Sequence, residues 1–178
     1  DNYMKILNTK IKGLKIILGK NHYDNRGYLR EIIKKKFFKN KNFIFWIASK
    51  SKKNALRGLH IQRKIGQDKY ISVLKGKIFD VVLDLRKKSK TYGKTYSIIL
   101  SEKNAKSLFI PAGFAHGFCV IGNDALIMYK MSSEHSSTHE RGIIWNDPTI
   151  GITWPIEAPI ISEKDKMHPT LAKANINF

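Results

Sequence analysis

Short runs of β-branched and aromatic residues recur along the chain, separated by polar or glycine-containing turns. Residues 78–85 show the pattern most clearly, because the odd-numbered positions are all apolar while the even-numbered ones include Asp80 and Asp84. A period of two indicates a strand with two different faces. Similar apolar runs complete the predicted set of strands, which covers residues 14–18, 43–48, 56–62, 69–74, 77–84, 95–100, 107–110, 116–121 and 125–131.

Helical periodicity is scarce, and only residues 31–39 and the tail after Ser162 predict short helices. Lys75 and Gly76 lie between two predicted strands and indicate a tight hairpin turn. Neither an internal repeat nor a linker-like tract interrupts the chain. Many short strands at close spacing favour an antiparallel barrel or sandwich. We therefore expect one all-β domain over residues 1–178, with short peripheral helices.

The chain carries a formal net charge of +19, and six of its 33 cationic side chains are Arg. A field of this sign favours anionic partners, which include nucleic acid and small anions such as a nucleoside-diphosphate sugar. No zinc-finger, helix-turn-helix or RNA-binding signature accompanies the charge, so we expect no nucleic-acid partner. A solvated, lysine-rich surface explains the charge equally well.

Cys119 is the one cysteine of the sequence, and it lies in an apolar run over residues 117–121. A single cysteine cannot form an internal disulfide, which indicates a reducing compartment, and its apolar neighbours predict a buried thiol. No apolar run approaches the ~20 residues that a membrane span needs, and no signal-peptide pattern opens the sequence. We therefore expect a cytoplasmic protein without a membrane partner.

Two histidines, His60 and His116, lie in segments that predict strands. Small barrels bind ligands at their mouths, so both side chains are candidates for chemistry as well as for the core. A metal-binding barrel of the cupin type offers a His-x-His pair, but here Gln62 occupies the place of the second His. A zinc or iron site needs three or more ligands, and two imidazoles are too few, so we expect no metal.

The sequence has no Gly-x-Ser-x-Gly elbow, Walker loop or Gly-x-Gly-x-x-Gly motif, which leaves proton transfer as the remaining chemistry. A histidine can remove a proton near neutral pH. It needs an orienting carboxylate, a cation that faces a developing enolate, and a second acid if the proton returns on the opposite face. His60, Asp165, Lys69 and Tyr129 could fill these four roles, although composition alone does not select them.

A series of motifs follows a fixed order from about Asp24 to Asp165. The first is Arg57-Gly58-Leu59-His60-Ile61-Gln62, and the later ones cover residues 79–86, 110–118, 129–130, 140–147, 150–155 and 162–165. In their order and spacing they resemble the signature motifs of the dTDP-4-dehydrorhamnose 3,5-epimerase family. Several independent motifs in order are far more specific than any one of them alone.

The resemblance implies a cupin-like antiparallel jelly-roll barrel that forms a homodimer, uses no metal or organic cofactor, and acts on a nucleoside-diphosphate 4-keto-6-deoxyhexose. It also implies that His60 removes the protons at C3 and C5 and that Asp165 pairs with His60. Lys69 would face the C4 oxygen, and Tyr129 would deliver a proton from the opposite face. The implied substrate-binding positions are Arg26, Glu31, Arg57, Gln62, His116, Glu140 and Lys164. The implied pathway is the synthesis of sugars for bacterial surface polysaccharides.

The nucleotide base stays open. The family's Gln-x-Asn motif for base binding falls on Phe45-Trp46-Ile47, and a Tyr that stacks on thymine in several members falls near His135. Guanosine or another base is therefore an alternative to thymidine, which is the default. Trp46 could stack on a base, although we expect it to pack in the core. A ligand-binding barrel without turnover is a further alternative.

Arg57 and His60 have opposite parity in their predicted strand, so a regular strand would place them on opposite faces. A bulge at Gly58 would bring them to one face. Otherwise, one of the two side chains would contact the substrate from outside the regular pattern.

Overall fold

The computed structural model describes residues 3–176 and 178, so residues 1, 2 and 177 of the predicted domain lie outside the described residues. The strands are β1 Lys5–Asn8, β2 Lys15–Leu18, β3 Asn21–Asp24, β4 Gly27–Arg30, β5 Phe45–Lys52, β6 Leu56–Gln62, β7 Lys69–Lys75, β8 Lys77–Asp84, β9 Thr95–Ser101, β10 Lys106–Ile110, β11 Phe114–Val120, β12 Asp124–Met131 and β13 Glu140–Gly142. A 3-10 turn, Lys35–Phe37, and a four-residue helix, α1 Glu163–Lys166, lie outside the strands.

Two antiparallel sheets form the body of the molecule. One has the strand order β1-β2-β10-β7-β12-β5 and the other has the order β13-β6-β11-β8-β9. Apolar side chains from both sheets meet in one core cluster, which includes Ile71 and Ile127 from the first sheet and Val82 and Phe118 from the second. Burial of these alternate positions drives the packing of the two sheets. This architecture is the expected all-β jelly roll of the cupin type.

All nine predicted strands are present, with ends that differ by at most a few residues. The strands that the hydrophobic pattern did not predict are β1, β3, β4 and β13, which have three or four residues each. They bury little apolar surface, since no residue of β1, β3 or β4 is buried. Their pairing therefore depends on backbone hydrogen bonds, which leave no period-two signal in the sequence.

The helix predicted over residues 31–39 is wrong, because this segment contains only the 3-10 turn. No side chain caps the turn and no acidic residue occupies its start, while the basic Lys35 and Lys36 fall within it. Phe38 instead packs into a small aromatic cluster, with its ring centroid 5.6 Å from that of Tyr70. The predicted helix after Ser162 is confirmed as α1, and the Ser162 hydroxyl caps it by accepting the Asp165 N–H at 3.2 Å.

The hairpin predicted at Lys75 and Gly76 is also wrong. The strands that flank these residues, β7 and β8, belong to different sheets and are not paired with each other. Gly76 has φ +78°, and a side chain there would collide with the carbonyl oxygen of Asp124. The chain therefore turns a sharp corner from one sheet to the other, and this close approach requires glycine.

The buried thiol predicted at Cys119 is confirmed, because this residue is fully buried in β11. In residues 3–176 and 178, no helix is long and apolar enough to cross a membrane.

Candidate active site

A cavity of about 420 Å³ opens between the two sheets. Strands β5, β7 and β12 form one wall, and β6, β11 and β13 contribute to the opposite one. Six of the predicted site residues border this cavity together, namely Arg57, His60, Lys69, His116, Tyr129 and Glu140. Residues far apart in the sequence therefore meet in one cleft of a size that suits a small molecule.

A β-bulge in β6 brings Arg57 and His60 to the same cavity. In the pairing of β6 with β11, His60 lies opposite His116 and Arg57 lies opposite Phe118, so β6 contains one extra residue. Gly58 occupies the bulge with φ +110°, and a Cβ there would lie 2.6 Å from the carbonyl oxygen of His116. Of the two alternatives that the opposite parity of Arg57 and His60 left open, the structure shows the bulge at Gly58.

His60 forms a close pair with Asp165, the buried residue of α1. Its Nε2 lies 2.7 Å from Asp165 Oδ1, while Asp165 Oδ2 accepts the backbone N–H of Gly58 at 2.9 Å. Burial raises the pKa of Asp165, but hydrogen bonds from His168, His60 and Gly58 outweigh it and hold this pKa well below its usual range. An ionised carboxylate only accepts hydrogen bonds, so Nε2 of His60 bears a hydrogen and Nδ1 of the neutral ring has the free lone pair.

Lys69 supplies the cavity with a cation. Burial lowers its pKa to about 8, although the carboxylates of Glu140 and Asp80 favour its charged form. Near neutral pH this group is a desolvated positive charge that can stabilise a negative oxygen.

Tyr129 reaches the cavity from β12, in the sheet opposite to that of His60. Burial raises the pKa of its phenol, against a smaller opposing effect of the nearby Ser49 hydroxyl. The phenol is therefore protonated at neutral pH and can act as a proton donor. A flat ligand held between the sheets would have an imidazole on one side and a phenol on the other.

A second imidazole–carboxylate pair contributes its imidazole, His116, to the cavity wall. His116 Nε2 is 2.7 Å from Asp80 Oδ2, and both residues are buried. Asp80 Oδ1 has no hydrogen-bond partner among the described residues. The sequence analysis placed His116 in the site but missed Asp80. The period-two pattern placed Asp80 on the more polar face of β8, so no sequence signal marked this carboxylate as buried.

Lys164 and Gln62 lie just outside the main cavity. The Lys164 ammonium forms an ion pair with Glu140, whose other oxygen is 3.5 Å from His135 Nε2. The buried Gln62 donates its amide N–H to the Glu134 carbonyl at 2.9 Å and accepts the Ser136 N–H at 2.9 Å. Gln62 therefore holds the loop that positions His135 and does not itself border the cavity.

Arg26 and Glu31 lie away from the cavity of their own chain. Arg26 is at the tip of the β3–β4 hairpin, where its guanidinium is 2.6 Å from Asp24 and 85% exposed. Glu31 follows this hairpin and pairs with Lys34 at 2.7 Å. The structure thus does not bring these two residues together with the other site positions.

The side of the cavity near β5 is apolar. Phe45 and Ile47 border it together with Met131. The prediction that Trp46 packs in the core is wrong, because it is 59% exposed and its ring lies under the Lys130 ammonium at 3.9 Å. The sequence analysis did not assign cavity positions to Ser49 and Gln67, and no motif or periodicity marks either of them.

One group of side chains has the ligand types of a divalent cation site. Single atoms of His60, Asp165 and His168 lie within 4.8 Å of one another. His168 Nε2 is 3.2 Å from the same Asp165 oxygen that His60 contacts. These hydrogen bonds already provide partners for the imidazole nitrogens and the carboxylate. The geometry is therefore that of two imidazoles that share one carboxylate.

Comparisons with known proteins agree with this geometry. The sequence model of the dTDP-4-dehydrorhamnose 3,5-epimerase family matches residues 8–173. A Shigella flexneri dTDP-4-dehydrorhamnose 3,5-epimerase is 40% identical over 168 residues, which are 91% of this chain and 93% of that protein. A Neisseria gonorrhoeae relative of the same name is also 40% identical, over 96% of this chain, which spans only 54% of that longer protein.

Solved structures show the same likeness. A Legionella pneumophila epimerase in complex with dTDP-4-keto-L-rhamnose has a TM-score of 0.91 and 38% identity, and the match covers 96% of this chain and 94% of that one. A Bacillus anthracis dTDP-4-dehydrorhamnose 3,5-epimerase with TDP and pyrophosphate bound has a TM-score of 0.89 and 37% identity, with 94% and 99% covered.

The cupin-type jelly roll and its cavity define an isomerase of the sugar-nucleotide epimerase class. Family model, relatives and solved structures agree over most of the chain. The chain belongs to the dTDP-4-dehydrorhamnose 3,5-epimerase family.

Proposed function

We propose that this enzyme inverts C3, C5 or both in a nucleoside-diphosphate 4-keto-6-deoxyhexose, with dTDP-4-dehydro-6-deoxyglucose as the default substrate. The observation that supports this proposal best is that His60 and Tyr129 border one cavity from opposite sheets. Inversion of a carbon needs a base on one face of the sugar and an acid on the other. Residues 1–178 would act as a single domain without a metal or organic cofactor.

In the proposed reaction, Nδ1 of His60 removes the hydrogen next to the C4 ketone. The electron pair of the broken C–H bond moves into a C=C bond, and the carbonyl electrons move onto the C4 oxygen. Lys69 stabilises this enolate oxygen, while Asp165 stabilises the imidazolium of His60. Tyr129 then donates its hydroxyl proton to the carbon from the opposite face, and exchange with solvent returns His60 and Tyr129 to their starting states.

The nucleotide portion of the substrate would be held by side chains, because no glycine-rich phosphate loop is present. Arg57, Glu140 and His116 border the cavity, and the Lys164 that pairs with Glu140 lies beside it. Arg and Lys bind phosphate oxygens as forks and point charges. The relatives solved with dTDP-4-keto-L-rhamnose or TDP favour thymidine as the base. Phe45 and Ile47 are apolar where the family's base-binding motif has hydrogen-bonding side chains. A guanosine-linked substrate is therefore kept as the alternative.

The proposed assembly is a homodimer. Arg26 and Glu31 are implied substrate contacts, yet both lie outside their own cavity. The hairpin that includes Arg26 also exposes Tyr23 and Leu29, each at 67%. Insertion of this hairpin against a second copy would bury the apolar side chains and bring the two polar ones to the partner's cavity. Analytical ultracentrifugation should give twice the chain mass, and a monomer with full epimerase activity would refute the assembly.

The proposed setting is the cytoplasm, where the enzyme supplies sugar nucleotides for surface polysaccharide. No nucleic-acid partner is included in the proposal. The net charge of +19 would then serve anionic substrates or solvation.

An NMR assay in D2O with dTDP-, GDP- and UDP-linked 4-keto-6-deoxy sugars tests the function. We expect deuterium at C3, C5 or both of the dTDP sugar, with inversion at each labelled carbon. Exchange with the GDP sugar alone would favour the alternative base. No exchange with any of the three would refute epimerase activity and favour a ligand-binding barrel without turnover.

A further inference from the structure

A second histidine contacts the carboxylate that orients the proposed base. His168 follows α1, and its Nε2 is 3.2 Å from Asp165 Oδ1, the oxygen that His60 Nε2 approaches to 2.7 Å. The two imidazole rings meet edge to face, with centroids 5.5 Å apart and planes at 82°. The His168 side chain is only 11% exposed, so it is fixed in this position.

The surrounding backbone is shaped to admit this ring. Gly142 of β13 lies opposite His60 in the strand pairing, and a Cβ at Gly142 would overlap the imidazole of His168. Glycine is therefore the one residue type at this position that leaves room for the His168 ring. The placement of His168 thus depends on three separate elements, namely α1, β6 and β13.

Hydrogen-bond stoichiometry shows what this arrangement does. An ionised carboxylate offers only acceptor sites, so both imidazoles must present an N–H to Asp165 Oδ1. Two donors on one oxygen weaken each other, because each withdraws electron density from the shared acceptor. Protonation of both rings would also bring two positive charges together, which is unfavourable.

We propose that His168 is a positioning residue of the epimerase, which shares Asp165 Oδ1 with His60 and limits how firmly this carboxylate holds the proton on His60. The inference rests on the proposed function, in which His60 is the base. A base that is held too tightly in its protonated form would be available only at higher pH. His168 thus limits how strongly Asp165 favours the protonated form of His60.

Charged groups around His168 set the background for a pH test. His168 also borders a separate cleft on the outer side of β13, and besides His60 and Asp165 the charged side chains near it are those that line this cleft, namely Arg63, Glu140, Arg141, Lys164 and Lys173. All of them are retained in the variants below, so a change in pH dependence reports on the imidazole itself.

The test measures the rate of solvent deuterium exchange into a dTDP-4-keto-6-deoxy sugar from pH 5 to pH 9 in the intact enzyme. The low-pH limb of this profile reports protonation of the base. In His168→Ala, we expect its midpoint to rise by about 0.5 to 1 pH unit, the shift expected when one hydrogen bond is lost. His168→Gln retains an N–H donor at a similar position and should keep the wild-type midpoint.

Two further variants separate positioning from packing. Gly142→Ala retains the imidazole but forces it away from Asp165, so its midpoint should shift as in His168→Ala. His139→Gln changes a histidine whose ring contacts Ser136 and not Asp165, and it should leave the profile unchanged. Circular dichroism confirms that each variant is folded, and unfolded variants are replaced by His168→Asn, which is too short to reach Oδ1 and should shift like His168→Ala.

The outcomes distinguish this inference from the function on which it rests. If wild-type enzyme shows no exchange, the proposed function fails. If it exchanges deuterium and His168→Ala only lowers the plateau rate at an unchanged midpoint, His168 has a packing role and the inference is overturned. An equal shift in His168→Ala and His168→Gln would also overturn it, because the donated hydrogen bond would then be irrelevant.

Discussion

His60 and His116 both border the cavity and each imidazole lies 2.7 Å from a carboxylate, yet the surroundings of the two pairs differ. The His60 side chain is 30% exposed, and the oxygens of Asp165 receive further hydrogen bonds from Gly58 and His168. The His116 side chain is 5% exposed, and one oxygen of Asp80 has no partner among the described residues.

The comparison shows how a protein can assign different tasks to the same two side chains. A base must expose a nitrogen to its substrate and keep its carboxylate ionised, which the additional donors to Asp165 achieve. The deeply buried Asp80 contributes its negative charge to the interior, where it favours the charged form of Lys69 and disfavours ionisation of Tyr129. The proposed mechanism therefore gives proton transfer to the first pair and electrostatic support to the second.

Replacement of either imidazole by a methyl group is the most severe test of these two roles. His60→Ala should reduce solvent exchange at both C3 and C5 by about 10²–10⁴-fold, since it removes the base. His116→Ala is the matched variant in the other pair and should reduce exchange by about tenfold, mainly through KM. NMR in D2O measures both. Equal losses in the two variants would mean that the pairs do not differ in role.

Lys69 is connected to both pairs. It would stabilise the enolate that His60 generates, and the negative charge of Asp80 favours its protonated form. Lys69→Met should lower kcat by about 10²–10³-fold, as expected when a buried donor to a developing oxyanion is removed. In the proposed mechanism the protonated amine is the active form, and burial lowers its pKa to about 8, so activity should fall as pH rises through 8. The pH profile of kcat should lose this alkaline limb in Lys69→Met, and its persistence would assign the limb to another group.

Tyr129 lies across the cavity from His60 and should affect inversion more than exchange. Tyr129→Phe removes the acid but leaves the base, so deuterium should still enter at a reduced rate while inverted product falls by about 10²-fold. The ratio of labelled substrate to labelled product in the NMR spectrum measures this effect. Normal inversion in Tyr129→Phe would show that another group returns the proton.

Asp80→Asn gives the smallest expected effect and sharpens the contrast between the pairs. It removes a negative charge that favours protonated Lys69, so the pKa of Lys69 should fall and the alkaline limb should move to lower pH. At pH 6.5 the variant should retain kcat within about tenfold of wild type. An unchanged limb would show that Asp80 does not support the Lys69 charge.

The long strands could be predicted from the sequence because they are rich in β-branched and other apolar residues that the fold buries. Apolar residues of β7, β8 and β12, such as Ile71, Val82 and Ile127, pack into the shared core. The short strands, such as β3 and β4, have exposed faces and leave no such signal. The turn at Gly76 was predicted to be a hairpin because the same residue types form a tight turn whether the flanking strands pair with each other or belong to different sheets.

Site residues that belong to a sequence motif could be predicted. Those that join the site only through a contact in the folded structure were missed. His60 and Asp165 are 105 residues apart, and their pairing was implied only by resemblance to a known family. His168 lies three residues after Asp165 but belongs to no motif. Its contact with that carboxylate depends on the room that Gly142 leaves for the imidazole ring. Asp80 lies on the face of β8 that the period-two pattern made the more polar one, so neither its burial nor its contact with His116 could be read from the strand pattern.

A crystal structure of this enzyme with a dTDP-linked pyranose would test the central claim most directly. The account predicts that the sugar ring lies between β6 and β12, with His60 Nδ1 about 3.5 Å from the carbon to be deprotonated. The Tyr129 hydroxyl should approach the opposite face of the same ring. A sugar bound outside this cavity, or with both side chains on one face, would contradict the account.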